Sequence, residues 1–337
     1  MEIISYQTVK FELTQAFKKL IKWRKNSMRI LITGGAGFIG SHLADRLLAR
    51  GDKVFIIDNF ATGRKNNLPW AADFTEGSVA CTKTLPALFD RVKPHVVVHA
   101  AASYKDPDDW YMDSVVNTVG TAMVAKECLK HNVDRLIYFQ TSLCYGKYPV
   151  ERPITLNHHI NPTNSYSISK TAGERYIEFS GMDFVSFRLA NAYGPRNLSG
   201  PPPTFYSRLS QGKKCFVVNT RRDFIFIDNL IDIVEKAIFG IGDRFYHVST
   251  GKDYSIKEIY MAVASAMNLD IAADERERGP DDVASILLDP SRTLRDFGII
   301  PTYPLEKGIK QTVKWYETND IGETYTHLKG LDGEEKE

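Results

Sequence analysis

The sequence has 337 residues, which suits one large domain or two closely joined domains with an ample core. Apolar residues make up 43% and charged residues 25% of the chain, as is normal for a soluble globular protein. The formal net charge of +2 gives no support to a nucleic-acid partner, and no apolar run approaches the ~18 residues of a membrane span.

A basic amphipathic segment, residues 1–27, precedes the first predicted strand. Leu13, Phe17 and Leu20 share one helical face, and lysine and arginine residues crowd its end. Such a helix can lie on an acidic membrane surface, but it can equally dock on its own domain. A third interpretation is that the written chain starts too early and that Met28 is the true initiator. We favour the last two interpretations over membrane contact.

The stretch ILITGGAGFIG at residues 30–40 combines a strand, a glycine-rich turn and the start of a helix. The apolar run stops at Thr33, and the apolar residues that follow Phe38 recur with helical spacing. A turn of this kind lets a diphosphate approach the backbone, and the helix N-terminus offers it free N–H groups and a positive dipole end. The stretch therefore predicts a dinucleotide site.

A second predicted strand, Lys53–Ile57, ends in the acidic residue Asp58. This acid follows the glycine turn by about 20 residues, where a carboxylate can accept both ribose hydroxyls of NAD. A phosphate at the 2′ position would be repelled, so the sequence favours NAD over NADP. Arg64 lies nearby and is the one counter-indication.

Strands and helices alternate from Arg29 to about Leu189, which predicts an α/β fold with a doubly wound parallel sheet. Ligands of such a sheet gather at the carboxyl ends of its strands. The strand candidates are Arg29–Thr33, Lys53–Ile57, residues 95–100, Arg135–Thr141 and Phe184–Leu189. The main helical candidates here are residues 113–131 and 165–180.

Beyond Asn191 the alternation gives way to glycine–proline loops, including the stretch GPPP at residues 200–203. We expect a cofactor-binding domain over residues 28–190, completed by part of 215–250. A smaller mixed α/β domain over 191–328 would mainly bind substrate, and a polar tail over 329–337 would be disordered. Further strand candidates are residues 224–227 and 245–248, and further helical candidates are residues 229–239, 255–267, 291–297 and 305–316.

Cysteines and histidines give no metal-site pattern. The adjacent pair His158 and His159 has no carboxylate or cysteine at ligand spacing, so we interpret both as surface residues. Scattered cysteines without a Cys-x-x-Cys pair favour a reducing cytoplasm and argue against structural zinc. The four cysteines are Cys81, Cys128, Cys144 and Cys215.

The predicted catalytic residues are Thr141, at the end of the fourth strand, and the pair Tyr166 and Lys170. A tyrosine and a lysine one helical turn apart share a face. An ammonium beside a phenol favours the phenolate, and a cationic nicotinamide ring would favour it more, which makes tyrosine a usable base near neutral pH. Thr141 could hydrogen-bond the same substrate oxygen and orient it.

Taken together, these motifs resemble the extended short-chain dehydrogenase/reductase family, whose nucleotide-binding domain has the Rossmann fold. The resemblance is specific for its NAD-dependent nucleotide-sugar epimerase/dehydratase group, which includes UDP-galactose 4-epimerases and sugar epimerases of bacterial lipopolysaccharide O-antigen clusters. It covers about residues 28–316. The matching stretches are TGGAGFIG (33–40), IIDNFATG (56–63), HAAA (99–102), Asn117 in VNTVGT, TSLCYG (141–146), YSISK (166–170), RLANAYGPRN (188–197) and RRDFIFIDN (221–229).

The resemblance implies a role for each matching residue on the cofactor side. The residues that would hold the NAD diphosphate are Gly34, Gly37, Phe38 and Ile39. Those around the adenosine are Asp58, Asn59, Phe60, Thr62, Gly63, Ser78 and Val79. Those beneath or beside the cofactor are Ala100, Ala101 and Ala102, with Asn117 bracing that strand end, and Tyr166 and Lys170 completing the set. Ser78 stands where the family usually has an acid, which puts that contact in doubt.

On the substrate side, Asn191 and Arg222 match residues that hold the substrate diphosphate. A guanidinium suits a diphosphate because it offers forked donors and a fixed charge. Arg278 resembles a second phosphate-binding arginine, but the local spacing departs from the family pattern and Arg276 is an alternative. Tyr104 follows the HAAA strand end and would face the sugar, either to select substrate or to shape a loop.

The residues after Thr141 bear on the reaction. A dehydratase of the group needs an acidic pair there and a decarboxylase keeps a glutamate nearby, whereas this chain has Ser142 and Leu143. We therefore expect C4 epimerisation of a UDP-sugar through a 4-keto intermediate, with a 4,6-dehydratase or a 4-ketoreductase as the alternatives. Family members commonly pair through two helices, so a homodimer through residues 113–131 and 165–180 is also expected.

Overall fold

The computed structural model describes residues 27–278, 283–299, 301 and 303–325. The predicted amphipathic segment (1–27, apart from its last residue) and the predicted polar tail (329–337) lie outside these ranges. The strands, in chain order, are β1 (Arg29–Thr33), β2 (Lys53–Asp58), β3 (Asp73–Glu76), β4 (Val96–His99), β5 (Arg135–Thr141), β6 (Phe184–Leu189), β7 (Asn191–Tyr193), β8 (Phe216–Val218), β9 (Arg221–Phe226), β10 (Arg244–Val248), β11 (Asp253–Ser255), β12 (Asp274–Arg276) and β13 (Ser285–Ile286).

The helices flank these strands, and a π-helical stretch, Asp113–Gly120, runs directly into one of them. The α-helices of eight or more residues, and one of seven, are α1 (Phe38–Ala49), α2 (Thr84–Val92), α3 (Thr121–Lys130), α4 (Ser165–Phe179), α5 (Pro201–Ser210), α6 (Ile227–Ile238), α7 (Ile256–Ala266), α8 (Ser291–Phe297) and α9 (Leu305–Thr318). Among the described helices, none combines the length and the apolar character that crossing a bilayer requires.

Within the described residues, seven parallel strands form one sheet in the order β10-β6-β5-β4-β1-β2-β3. Alternate residues of β1 point to opposite faces, so Ile30 and Ile32 join one apolar core while Leu31 joins the other. Both faces of the sheet are covered, which is why its central strands are continuous apolar runs. The predicted doubly wound α/β fold is confirmed, and the strand order reverses between β1 and β4, where ligands of such sheets bind.

A smaller mixed sheet lies beyond β6. Strand β9 pairs in parallel with β7 and β13 and antiparallel with β11, and β8 pairs separately with β12. Helix α5 begins at Pro201, in the stretch that the sequence indicated was a loop. That expectation was wrong, because proline is favoured in the first turn of a helix, where its missing N–H costs nothing.

Candidate active site

One large cleft, with a volume of about 1010 Å³, follows the carboxyl ends of β1, β2, β4 and β5 and continues to the small sheet. This volume lies at the upper end of the range for small-molecule sites, which is roughly 300–1,000 Å³. Residues from both halves of the described chain line it, from the glycine turn at Gly34 to Arg276. The cleft therefore brings the predicted cofactor side and the predicted substrate side together.

The glycine turn is shaped so that side chains cannot replace two of its glycines, Gly34 and Gly40. Gly34 has a φ of +69°, and a Cβ there would lie 2.6 Å from the backbone nitrogen of Ala101. A Cβ at Gly40 would lie 2.4 Å from the carbonyl oxygen of Gly34. Helix α1 can therefore approach the turn this closely only because residue 40 is a glycine. At Gly37 a Cβ would meet little besides that same carbonyl, on a surface that faces the cleft. This backbone cradle at the N-terminus of α1 fits a dinucleotide diphosphate.

Asp58 ends β2 at the cleft wall and is buried. Its carboxylate accepts hydrogen bonds from the backbone N–H groups of Ala36 at 2.9 Å and Phe60 at 2.8 Å. Burial raises the pKa of Asp58, and these N–H groups oppose that effect. Gly63 passes so close that a Cβ would lie 2.8 Å from the carboxylate. The loop thus fixes the carboxylate while leaving lone pairs that can accept ribose hydroxyls.

Two cationic residues, Arg64 and Lys105, contact the end of the described chain. The Arg64 guanidinium donates to the backbone carbonyls of Asp320 and Ile321. Lys105 pairs with Glu323 at 2.8 Å. Because the Arg64 guanidinium already donates to these carbonyls, Arg64 no longer argues for a 2′-phosphate, and therefore for NADP over NAD.

The other predicted adenosine-side residues divide into two groups. Asn59, Thr62, Ser78 and Val79 line the cleft. The Ser78 hydroxyl accepts from the backbone N–H of Ala80 at 3.2 Å, so it also caps its own turn. Phe60 and Gly63 are not among the described residues of the lining. The Phe60 ring instead packs on Phe74, with centroids 5.2 Å apart.

Asn117 lies behind the cleft and joins three segments. Its side-chain oxygen accepts from the Ser103 N–H at 2.8 Å, and its amide nitrogen donates to the Ser103 carbonyl at 3.0 Å and the Ser169 hydroxyl at 3.1 Å. Ser103 follows the cleft-lining stretch Ala100–Ala102, and Ser169 belongs to α4. Asn117 thereby holds the helix of the predicted catalytic residues against the end of β4.

Helix α4 can approach this closely because Gly173 faces Asn117. A Cβ at Gly173 would lie 2.5 Å from the backbone carbonyl of Asn117. The helix begins with a capping box between Asn164 and Ser167, which fixes the first turn that carries Tyr166. Local capping and close helix packing together set the position of the tyrosine.

The structure brings Thr141, Tyr166 and Lys170 to the same cleft. The Thr141 hydroxyl accepts the backbone N–H of Leu143 at 3.1 Å, which leaves its own proton to donate to a ligand. Gln140, which sequence reasoning missed, holds the strand end because its side-chain oxygen accepts the Thr141 N–H at 2.8 Å. No sequence signal distinguishes this glutamine from an ordinary strand residue.

Burial governs the ionisation of the predicted pair. It raises the pKa of Tyr166, with Tyr104 and Asp113 adding to the effect. It lowers the pKa of Lys170 from 10.5 to about 7, against the opposing influence of Glu174. Ionising Tyr166 therefore costs free energy in the protein without ligands, and a bound cation nearby would lower that cost and favour the phenolate.

Beneath Lys170 lies a buried ion pair between Glu174 and Arg188, 2.9 Å apart. The Arg188 guanidinium also donates to the Tyr145 hydroxyl at 2.9 Å, and that hydroxyl lies 2.6 Å from His247 Nε2. Such a network is costly to break, because one partner alone leaves an uncompensated buried charge. It ties α4 to the sheet directly below the predicted lysine.

On the substrate side, Tyr104, Asn191, Arg222 and Arg276 line the cleft. The Asn191 amide donates to the Asp223 carbonyl at 3.2 Å, which orients its side chain.

The structure also bears on two other interpretations of the sequence, the choice between Arg276 and Arg278 and the exposure of His158. Among the described lining residues Arg276 is present and Arg278 is not. Arg276 is the last residue of β12, which pairs with β8, and its guanidinium stacks 3.7 Å from the centre of the Phe216 ring, whereas Arg278 lies beyond the strand. His158 is buried rather than on the surface, since its Nε2 accepts the Val150 N–H at 3.0 Å.

Comparison with known proteins agrees with this geometry. A sequence model of the NAD dependent epimerase/dehydratase family matches residues 30–250. The UDP-glucose 4-epimerase of Mycolicibacterium smegmatis is 32% identical over 313 residues, which cover 86% of this chain and 98% of that protein.

Two solved structures are closer in sequence. The Bordetella bronchiseptica enzyme WbmH in complex with NAD+ is 51% identical, with a TM-score of 0.84 and coverage of 86% of this chain and 98% of that one. WbmG of the same bacterium, solved with NAD and UDP, is 42% identical, with a TM-score of 0.83 and coverage of 90% and 99%.

Proposed function

This chain belongs to the NAD-dependent epimerase/dehydratase family, and from that premise we propose that it inverts C4 of a UDP-sugar through a transient 4-keto intermediate. NAD is its cofactor, in keeping with the family and with the glycine cradle at Gly34 and the carboxylate of Asp58. The observation that carries the choice of epimerisation is the absence of an acidic side chain directly after Thr141.

Ser142 is buried and Leu143 is apolar, so neither can remove a proton from the sugar and expel a hydroxyl as a dehydratase must. With no group for that elimination beside Thr141, the simplest remaining path is to return hydride to the other face of the same carbon.

Each of the predicted catalytic residues has a different role in the proposed reaction. When bound, NAD+ would supply the hydride acceptor and a positive charge that favours the phenolate of Tyr166. In our proposal Tyr166 removes the proton of the C4 hydroxyl, and Thr141 donates a hydrogen bond to the same oxygen. Lys170 supports the phenolate electrostatically. On the return step Tyr166 gives the proton back, so no proton is consumed over a turnover.

The residues on the substrate side support a nucleoside diphosphate as the group that carries the sugar and stays bonded to it throughout the reaction. Arg222 and Arg276 place two guanidinium groups in the cleft lining, and Asn191 adds an oriented amide. Forked, permanently charged donors match the oxygens of a diphosphate. We propose UDP as the nucleotide, since a relative with 42% identity was solved with NAD and UDP.

We also propose the wider setting of the enzyme. It would act in the cytoplasm in the synthesis of polysaccharide or lipopolysaccharide sugars, with a cofactor domain over 28–190 and a mainly substrate-binding domain over 191–328. A homodimer through α4 and the neighbouring helix is supported by exposed apolar residues on α4. These are Ile168, Tyr176 and Phe179.

The test is to incubate the purified protein with UDP-, GDP-, CDP- and dTDP-sugars without added reductant and to follow the products by NMR. We expect the C4 epimer of one UDP-sugar to appear, and Tyr166→Phe to abolish it while the fold is kept. A 4-keto-6-deoxy product would instead identify a dehydratase. A requirement for added reductant would identify a ketoreductase, and either outcome would overturn the proposal.

A further inference from the structure

The end of the described chain, residues 320–325, is attached to the cofactor side of the protein by two cationic side chains. The Arg64 guanidinium donates to two backbone carbonyls at the start of this segment, and Lys105 pairs with Glu323 at 2.8 Å. Both partners of the second contact are largely exposed, and surface ion pairs of this kind contribute little. Arg64 is therefore the main anchor on this side, because hydrogen bonds from a charged donor are stronger.

The other end of the segment is paired with the substrate side. The Tyr325 N–H donates to the Leu198 carbonyl at 2.8 Å, and the Gly200 N–H donates to the Tyr325 carbonyl at 3.0 Å. Gly200 lines the cleft, and Ile321 packs with Leu198 in a small apolar cluster apart from the two main cores. Residues 320–325 thus connect the cofactor side of the cleft with its substrate side.

The two loops that Arg64 and Lys105 anchor also contact each other at the cleft. Arg64 lies two residues after Thr62, and Lys105 directly follows Tyr104. Thr62 and Tyr104 both line the cleft and are joined by a side-chain hydrogen bond. The segment therefore fastens both partners of a contact that connects one loop of the cleft with another.

The contact between Thr62 and Tyr104 lies between the two ends of the predicted cofactor site. Burial has the largest effect on the pKa of Tyr104 and raises it, and the charges of Tyr325 and Asp58 add to the rise. Tyr104 in turn adds to the effect of burial on the pKa of Tyr166. The Tyr104 hydroxyl is thus within electrostatic reach of Asp58, the predicted ribose ligand, and of Tyr166. A dinucleotide that extends from one to the other has to pass this contact.

We propose that residues 320–325 form a strap that retains NAD, because they hold the loops of Thr62 and Tyr104 together and so slow the release of the cofactor. None of these six residues, all of which the structure describes, lines the cleft, so the strap acts on the loops and not on the ligand. Arg64 is then a positioning residue that acts through the strap. The inference goes beyond the proposed epimerisation and needs only NAD as the cofactor.

The test measures the rate at which NAD leaves the full-length protein and its variants. Protein loaded with radiolabelled NAD is diluted into excess unlabelled NAD, and the bound label is counted over time after rapid gel filtration. We expect truncation after Asn319 and the substitution Arg64→Gln each to accelerate release at least ~tenfold, as the loss of charged hydrogen bonds to the strap implies. Truncation after Tyr325 and the substitution of the neighbouring exposed lysine, Lys65→Gln, are the controls and should keep the wild-type rate.

Combining Arg64→Gln with the truncation after Asn319 distinguishes a strap from a direct contact with NAD. If Arg64 acts through the strap, the combined variant releases NAD no faster than the truncated protein, because both changes remove the same interaction. If Arg64 binds NAD itself, the two accelerations multiply, and the inference is overturned.

Two further outcomes would also overturn the inference. The first is a wild-type rate of NAD release in Arg64→Gln, a variant that keeps the whole chain and decides the question even if the truncated protein does not fold. The second is equal acceleration by the two truncations, because the effect would then come from residues beyond 325. If the wild type turns over no nucleotide sugar but these release rates are as expected, the proposed function fails and the strap stands.

Discussion

Replacing Lys170 with methionine should destroy activity and yet stabilise the protein. Lys170 is 3% exposed, and its ammonium lies 4.1 Å from the centre of the Tyr138 ring. Burial lowers its pKa from 10.5 to about 7, so folding at neutral pH works against the charged form of this side chain. Methionine fills a similar volume without a charge and removes that cost.

The size of the effect follows from the pKa values. A fall from 10.5 to about 7 corresponds to a folding cost on the order of 5 kcal/mol when the lysine is fully protonated in the unfolded chain. Between these two pH values the unfolded chain binds one proton more than the native protein, so native stability rises with pH. The cost is therefore complete below pH 7 and disappears as the pH approaches 10.5. Allowing for relaxation around a buried lysine, we expect Lys170→Met to be more stable by about 2–5 kcal/mol at pH 7.

The assay is urea unfolding of nucleotide-free protein at several pH values between 7 and 10, with Lys126→Met as the control. Lys126 is an exposed lysine on α3, so its replacement should change the free energy of unfolding little and equally at all these pH values. Epimerase activity of Lys170→Met should fall by at least ~100-fold. The reasoning is refuted if Lys170→Met is less stable than the wild type, or if its advantage is the same at pH 7 and pH 10.

Three further predictions concern the glycine cradle, the substrate side and the buried network. Gly34→Ala puts a Cβ 2.6 Å from neighbouring backbone at a φ of +69°, so we expect loss of bound NAD and a lower melting temperature; Gly51→Ala, at a φ of +91° with open space around it, should retain NAD. Arg276→Ala should raise KM for the nucleotide sugar by about tenfold, the cost of a charged hydrogen bond, and Arg278→Ala should leave it nearly unchanged. Equal effects on KM would contradict this assignment. Glu174→Gln should lower the free energy of unfolding by about 3–5 kcal/mol in urea titration, because it leaves a buried guanidinium without its counter-charge.

The parts that sequence reasoning predicted well are those whose constraints are local. The turn at residues 34–40 needs glycine for reasons that lie within a few residues, namely a positive φ and a helix that starts at once. Strand β1 and the turn follow from one short stretch, and Asp58 follows from the apolar run of β2, which it ends. Continuous apolar runs also indicated buried parallel strands, since only a sheet covered on both faces can use them.

The wrong expectation for His158, and the choice between Arg276 and Arg278 that the sequence left open, both depend on neighbours far away in the chain. His158 has no apolar run beside it, and its burial follows from a hydrogen bond with Val150 and packing against the Tyr145 ring. Arg276 and Arg278 look equivalent in sequence, and only the pairing of β12 with β8 turns the first towards the cleft. Spacing along the chain cannot decide which of two nearby side chains faces a ligand.

The position of the predicted base illustrates why a motif is not yet a site. Tyr166 and Lys170 share a helical face by spacing alone, but that face is useful only where α4 can approach β4 and β5. The approach depends on Gly173, which lets the helix meet the Asn117 backbone, and on the Asn117 side chain, which bridges to Ser169. A larger residue at 173 would push the helix away and carry the tyrosine and lysine with it. The position of the pair is therefore set by Gly173 and Asn117, and the same packing buries Lys170, which lowers its pKa from 10.5 to about 7 and costs stability.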